Sequence, residues 1–561
     1  MKMNRFTLLL IIFFTASICY SQEKKSIKET IVKIYYNDID SAISHYKKLK
    51  KVTPNEYNFE DENELNNLGY QLLKDNRKED ALKIFELLVS EFPNSFNAYD
   101  SFGEACFLNN NKELAIKYYK KSLELNPKNE NAERFIVNVN YESREKNKFK
   151  NVYPKQQYLE DLDELANTLT SVNPHPYKFM PKEDFWRVVE EKKKLITAAT
   201  TYSEFIWHCS ELVANINCGH SSIPMYFIQE SEMLPANLRF PMELFNINGK
   251  LYVADALINK EMIKSGTEIQ SINGKTSAEI IKEINKHISS QGNVGNAVKR
   301  HLFNWQSTAM IPYSFGFPKR YEIVIKGKKT PLVLNMLETY QFQLKNLNSC
   351  KETVCLDFIG EQKNTALFTI KHWDFYGNRF SIIKKIIDDS FTEINNKNIK
   401  SLIIDVRGNG GGNSWGASYL LQYLAEKPFT YYKVAPPNDA KLKPLTPFDN
   451  RYKGAVYFLT DGRASSTTGQ LLALAKHLNI GTIIGEESNG AVFYTAGQKM
   501  FSLKNTGVFY SIGRVTHITN VDSISENRGV LPHHYSVQTI EDYLLDVDTQ
   551  LEYTMKLIQN N

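Results

Sequence analysis

Two short stretches of this 561-residue chain place reactive groups where a strand hands over to a helix. In the first, the buried-strand run Ser401-Leu402-Ile403-Ile404-Asp405-Val406 leads into Arg407-Gly408-Asn409-Gly410-Gly411-Gly412. A helix with Ala417, Leu420, Leu421 and Leu424 follows. In the second, Ala455-Val456-Tyr457-Phe458-Leu459-Thr460 leads into Asp461-Gly462-Arg463-Ala464-Ser465-Ser466, and a helix runs from Thr467 to His477. A glycine cluster after a strand leaves backbone N–H groups pointing into open space. A serine at such a corner sits where a helix N-terminus supports developing negative charge. Together the two corners would supply a nucleophile and an oxyanion hole. Taken singly, the glycines would equally cradle a phosphate or form a plain turn, and Ser466 would cap its helix. The glycine run lacks the Lys-Ser/Thr ending of a phosphate-binding loop, which weakens the nucleotide reading.

The elements that must hold these corners alternate strand and helix from about residue 360, as an α/β domain requires, with Thr482-Ile483-Ile484-Gly485-Glu486 as a third strand. Upstream, residues 155–235 read as helical: Tyr158, Leu159, Leu162, Leu165 and Leu169 recur at three and four residues. That segment carries Asn217-Cys218-Gly219-His220-Ser221-Ser222. Residues 236–345 change character, with short runs such as Leu251-Tyr252-Val253-Ala254 and Glu322-Ile323-Val324-Ile325. Gly266 to Lys275 is a strand closed by the Asn273-Gly274 turn, and a helix follows at 277–287.

Nearer the start, Gly69 pairs with Gly103, Ala81 with Ala115, Phe85 with Tyr119 and Pro93 with Pro127, each pair 34 residues apart. Small residues take the close helix crossings, an aromatic fills the space between helices, and proline ends the second helix. The layout resembles the tetratricopeptide repeat and is assigned to 26–150, with Ala42, Tyr46 and Pro54 suggesting a weaker earlier unit. Such repeats serve as a protein-partner platform or as a helical spacer.

Composition bounds the rest. The length suggests about three or four structural units. With 42% hydrophobic and 12% aromatic residues the chain has ample surface to bury, and a net charge of +5 gives no electrostatic case for nucleic-acid binding. Lys2 and Arg5, the apolar run Leu8 to Phe14 and the small residues around Cys19-Tyr20-Ser21 form a signal peptide over 1–21, cut before Gln22. The run is too short for a membrane span, and Ile18 is a poor neighbour for a lipidated Cys19. The expected location is periplasmic or extracellular, with a net charge of +3 after removal of two basic residues. Five cysteines then remain, Cys106, Cys209, Cys218, Cys350 and Cys355, of which the last two are close enough to close a loop. No cofactor or metal is expected. His533-His534 lacks a third ligand, and His477 reads as an ordinary helix residue.

The combination of corners resembles the tail-specific (C-terminal processing) serine peptidases. Leu402 to Gly412 is similar to their Leu-Asp-Leu-Arg-Gly-Asn-x-Gly-Gly segment, Asp461 to Ser466 to their nucleophile strand, and Gly485-Glu486-Glu487-Ser488-Asn489-Gly490 to their Gly-Glu-x-Thr-x-Gly. Gly529-Val530-Leu531-Pro532 resembles Gly-Val-x-Pro-Asp, with His533 in place of Asp. The resemblance implies a crotonase-like α/β catalytic domain over 355–561, preceded by a helical part (155–235). Between them, in 236–345, the strand, Asn-Gly turn and helix loosely resemble the second half of a PDZ domain, so that module is expected to be PDZ-like. In that module the usual Asp after the first Gly is Thr267. The peptidase resemblance implies Ser466 as nucleophile, with the N–H groups of Gly411 and Thr467 as oxyanion hole.

One departure decides the base. The family's catalytic lysine position is Ala491; Lys499 lies eight residues on, and Lys476 reads as a solvated helix residue. The tricorn-like branch uses Ser–His–Glu instead, and there His220 and Glu526 match, Glu526 standing 60 residues after Ser466. The expectation is an exported serine peptidase in which His220 is the base and Glu526 orients it. The alternative is a non-catalytic peptide- or lipid-binding scaffold of the same fold.

Overall fold

Gly69 and Gly103 show why the 34-residue spacing folds as helix pairs. In a computed structural model, which describes residues 24–560 apart from 128, 130, 134, 137, 138, 140–147 and 224–233, a Cβ on Gly69 would lie 2.5 Å from the Phe85 ring. A Cβ on Gly103 would lie 3.0 Å from the Tyr119 ring. Glycine lets each helix approach its partner's aromatic this closely, and a Cβ at either position would press on the ring. The helices are Ile27–Tyr35, Ile39–Val52, Glu62–Lys74, Lys78–Glu91, Phe96–Leu108 and Lys112–Leu125. Ala42, Tyr46, Ala81 and Ala115 are buried between them, so the weaker first unit packs like the others. This unit, 1–136, is one of two into which the chain divides. The signal segment 1–21 lies outside the described residues.

The second unit, 137–561, holds the candidate chemistry. Helices Lys155–Val172, Lys182–Leu195 and Tyr202–Asn215 share one core with a six-stranded antiparallel sheet drawn from 243–333. The helical part and the β module read from the sequence are therefore packed as one body. Within that sheet Asn273 and Gly274 both adopt positive φ in the expected turn. A capping box of Thr276 and Glu279 starts helix Ser277–Asn285.

Helix Ala297–Phe315 has no counterpart in the sequence reading, which treated this stretch as part of the β module. Its Pro312, its mixed polar and aromatic faces and a non-helical Gln306 hide the helical period. The helix lies along the edge strand Glu243–Ile247. There Ser307 Oγ accepts the Leu244 N–H at 2.9 Å and Asn304 Oδ1 accepts the Asn246 N–H at 2.6 Å.

The α/β layer is a sheet ordered 534–535, 482–485, 455–460, 401–405, 365–370, 354–359, parallel except for the last pair. Helices Phe380–Asn396, Ser414–Gln422 and Thr467–His477 share the core on one face. Helix Thr549–Gln559 covers the other. Both corner strands are central, so their C-terminal ends open side by side. A disulfide joins Cys350 and Cys355, and Cys106, Cys209 and Cys218 are buried thiols.

Candidate active site

Strand Ala455–Thr460 delivers a turn that the Asp461 carboxylate organises. It accepts the N–H groups of Arg463 at 2.9 Å, Ala464 at 3.2 Å and Gly408 of the neighbouring corner at 3.0 Å. The chain then passes through Ser466 at φ +53°, ψ −124° before entering helix Thr467–His477. That backbone is costly for any residue with a Cβ and makes the strand-to-helix turn sharp. Its hydroxyl is thereby held clear of the helix it precedes.

The glycine loop is laced to this corner. The Ser465 N–H donates to Asn409 O at 3.2 Å, Thr467 Oγ1 donates to Gly412 O at 2.6 Å, and the buried Trp373 Nε1 donates to Thr468 Oγ1 at 3.1 Å. Gly411, at φ +107°, passes so close that a Cβ there would lie 2.7 Å from Ser466 Cβ. Its own N–H is spent on Asn409 Oδ1 at 2.9 Å. Of the two oxyanion donors expected, Gly411 is thus engaged elsewhere, because the Asn409 side chain closes a tight turn on it. The Thr467 N–H has no acceptor among the described residues.

His220 arrives from a different part of the unit. Helix Tyr202–Asn215 ends, Asn217 turns the chain at φ +50°, and Ser222 pairs with Ser511 through both backbone bonds, at 3.1 and 2.8 Å. The Gly513 N–H donates to Ser221 Oγ at 3.2 Å. These ties hold the imidazole edge-on to the Tyr494 ring, with centroids 5.6 Å apart. Its Nε2 lies 3.1 Å from Ser466 Oγ. Two residues 246 positions apart in sequence, expected there as base and nucleophile, are thus brought within hydrogen-bond distance.

The third expected member is elsewhere. Glu526 is 42% exposed and ion-paired with Lys178 at 2.6 Å. His220 Nδ1 is buried with no hydrogen-bond partner among the described residues. Burial pushes the imidazole pKa down to about 4, and His517 nearby adds to the shift. Glu526 therefore does not orient His220 by a direct bond in this structure; the adjacent Lys178 ammonium holds its carboxylate.

The other candidates settle into supporting places. Ala491 is buried in a bridge to Gly529, leaving no ammonium at the family's lysine position. Lys476 donates to Leu531 O at 2.5 Å, and Lys499 lies over the Phe501 ring. His533 Nδ1 accepts the Ile483 N–H at 2.8 Å, and His534 Nδ1 meets Tyr553 Oη at 3.0 Å. His477 is the last residue of its helix.

Tyr494 and Gln291 reach the site without a sequence signal, and Asn489 reaches it from the Gly485–Gly490 motif. Tyr494 stacks edge-on to the base and bonds Asn489 O at 3.3 Å. Asn489 O also accepts from Ser465 Oγ at 3.1 Å. Gln291 contacts both loops, from a stretch with no motif.

Residues 369–536 match the profile described as Peptidase family S41. The chain carries a peptidase family S41 domain. The match includes Ser466, Gly411, Thr467 and Glu526, while His220 lies outside it. The S41 domain is a serine-type peptidase domain, and residues 96–129 match a tetratricopeptide repeat. Among solved structures, mature CPAF complexed with lactacystin is 14% identical, covering 72% of this chain and 97% of that one at a TM-score of 0.48. The photosystem II D1 C-terminal processing protease is 12% identical, with 68% and 92% covered and a TM-score of 0.34. The tricorn protease is 16% identical, with 72% and 36% covered and a TM-score of 0.31. No curated protein matches the sequence. Among the described residues no helix is long and apolar enough to cross a membrane.

Proposed function

We propose that this S41 domain cleaves peptide bonds through Ser466, with His220 as its base. The observation that carries the reading is the 3.1 Å approach of His220 Nε2 to Ser466 Oγ at a strained strand-to-helix corner. In the reactive tautomer His220 carries its proton on Nδ1, so Nε2 accepts the hydroxyl proton as Oγ attacks the scissile carbonyl carbon. The carbonyl oxygen becomes an oxyanion facing the Thr467 N–H and the helix N-terminus. Gly411 joins as second donor once its N–H leaves Asn409 Oδ1. The amine departs with the proton from Nε2, and water releases the acyl group by the reverse sequence.

The imidazolium formed in the first step has no carboxylate beside it in the resting geometry. A Ser–His–Glu arrangement requires Glu526 to give up Lys178 and reach Nδ1. The catalytic layer is read as crotonase-like and the 243–333 sheet as PDZ-like. Export through residues 1–21 to the periplasm or beyond is supported by the Cys350–Cys355 disulfide, which suits an oxidising compartment. The tetratricopeptide-like repeats serve as a platform for a protein partner.

The test is labelling with a fluorophosphonate serine probe followed by peptide mapping. Ser466 should carry the label, and Ser466→Ala should abolish both labelling and peptide hydrolysis. Its thermal midpoint should hold, because the loss of one hydroxyl at a corner costs about 1 kcal/mol or less. Undiminished hydrolysis by folded Ser466→Ala refutes the assignment.

A further inference from the structure

His220 and Ser466 come from segments far apart in sequence, and a hydrogen bond between them needs both loops held to a few tenths of an ångström. The ties of His220 to 511–513 fix its loop to a hairpin, and the ties of Ser466 to 408–412 fix its corner to the sheet. Neither set joins the two loops to each other.

Gln291 does. Its side-chain Oε1 accepts the N–H of Gly219, the residue before His220, at 3.1 Å. Its backbone N–H donates to Asn489 Oδ1 at 2.9 Å. Asn489 is in turn locked to the nucleophile corner: its N–H donates to Ala464 O at 2.8 Å, and its O accepts from Ser465 Oγ at 3.1 Å. One residue thus closes a chain of hydrogen bonds running from the base, through Gly219, Gln291 and Asn489, to the residue before the nucleophile.

The flanks of Gln291 are anchored as well. The Gly292 N–H donates to Asn217 O at 2.8 Å, the Asn293 N–H to Asn527 O at 2.8 Å, and the Gly295 N–H to Glu487 Oε2 at 3.1 Å. A Cβ on Gly462 would lie 2.3 Å from the Ala297 carbonyl carbon, so the strap also abuts the turn that leads to Ser466. Gln291 is only 1% exposed, and its Nε2 is buried with no hydrogen-bond partner among the described residues. An orphaned amide NH2 costs about 1–3 kcal/mol, which a methionine of similar length would avoid. A residue kept for filling space alone would not carry that penalty.

We infer that Gln291 is a positioning residue for the peptidase reaction, setting the His220–Ser466 distance by tying the two loops together. The inference rests on the Ser466–His220 reading above. It acts on kcat, because the bond it controls matters when the hydroxyl proton moves and not when substrate docks. A misplacement of about 1 Å at reacting atoms costs on the order of 100-fold.

The experiment measures fluorophosphonate labelling rates of Ser466, together with kcat and KM on one peptide, in the full chain. Gln291→Met fills the space without the acceptor and should label about 100-fold more slowly, with kcat lowered alike and KM within about threefold. Gln291→Glu keeps an acceptor oxygen for Gly219 and should recover the rate to within about tenfold of wild type. Labelling of Gln291→Met at the wild-type rate overturns the inference and leaves the Ser–His reading standing. Absence of any Ser466 label in wild type overturns that reading, and the inference with it. If thermal melts show that the Gln291 variants do not fold, Asn489→Leu decides. It cuts the same chain one link further along and should show the same slow labelling, so a folded Asn489→Leu at the wild-type rate also overturns the inference.

Discussion

Gly411→Ala puts the most direct steric pressure on the nucleophile. A Cβ at Gly411 would sit 2.7 Å from Ser466 Cβ and 3.0 Å from both Ser465 O and Thr467 N, where ordinary contacts begin at 3.4 Å. About 0.7 Å must be recovered against Ser466, and two of the three obstructing atoms are backbone that cannot rotate aside. Alanine at φ +107° adds strain of roughly 1–3 kcal/mol. The glycine loop is pinned by Asn409 and Trp373, so the displacement falls on the corner and lengthens the 3.1 Å bond to His220. At about 100-fold per ångström, kcat and the fluorophosphonate labelling rate should each drop some 30- to 100-fold. The thermal midpoint should fall by a few degrees. Gly410→Ala is the control, since a Cβ there meets nothing within 4 Å and its φ is not in the left-handed range. Folded Gly411→Ala that labels at the wild-type rate, or Gly410→Ala that loses as much, refutes the reasoning.

The remaining predictions concern charge. An unperturbed imidazole titrates near about 6.5, but burial holds His220 down to about 4, so the acid limb of kcat/KM should centre nearer 4 than 6.5 and vanish in His220→Ala. A wild-type limb at 6.5 would show that the buried base is hydrated in the working enzyme. Glu526→Gln should lower kcat/KM by no more than about tenfold, whereas a carboxylate orienting the base directly is worth about 10⁴. A loss near that larger figure would place Glu526 on His220 during turnover. His208 is also held down to about 4 by burial. Both imidazoles stay neutral when folded but charge on unfolding, so the stability they permit is complete above about 6.5 and drains away as pH falls toward 4. The loss should reach about 2 kcal/mol per group by pH 5. Denaturant melts of His208→Gln should show a shallower decline over that window, and an unchanged slope would count against the assignment.

The helix pairs and the corner strands were legible because each rests on local chemistry that leaves a sequence trace, whereas His220 was set beside Ser466 only by the family resemblance. Glycine against aromatic at 34-residue spacing, apolar strand runs and a serine after Asp-Gly are such traces. What escaped depends on tertiary contact. Whether Glu526 faces His220 or Lys178 turns on two loops that no periodicity reports. The engagement of the Gly411 N–H follows from the Asn409 rotamer, although the Asn-x-Gly order permits such a turn. Gln291 and helix Ala297–Phe315 lie between the strands of the β module, where no motif announces them and a kink at Gln306 breaks the pattern.

That helix changes what the β module can receive. Strand Glu243–Ile247 is the outer strand of its sheet, and an outer strand ordinarily presents unpaired N–H and C=O groups that another extended chain can extend into a further strand. Here the Leu244 and Asn246 N–H groups already donate to Ser307 and Asn304 of the chain's own helix. An incoming peptide would have to displace both side chains, at about 1 kcal/mol for each bond, and lift the apolar face packed beneath them. The edge is thereby guarded against strand addition by foreign segments and by second copies alike. In this resting state, a peptide reaches Ser466 without that edge to hold it.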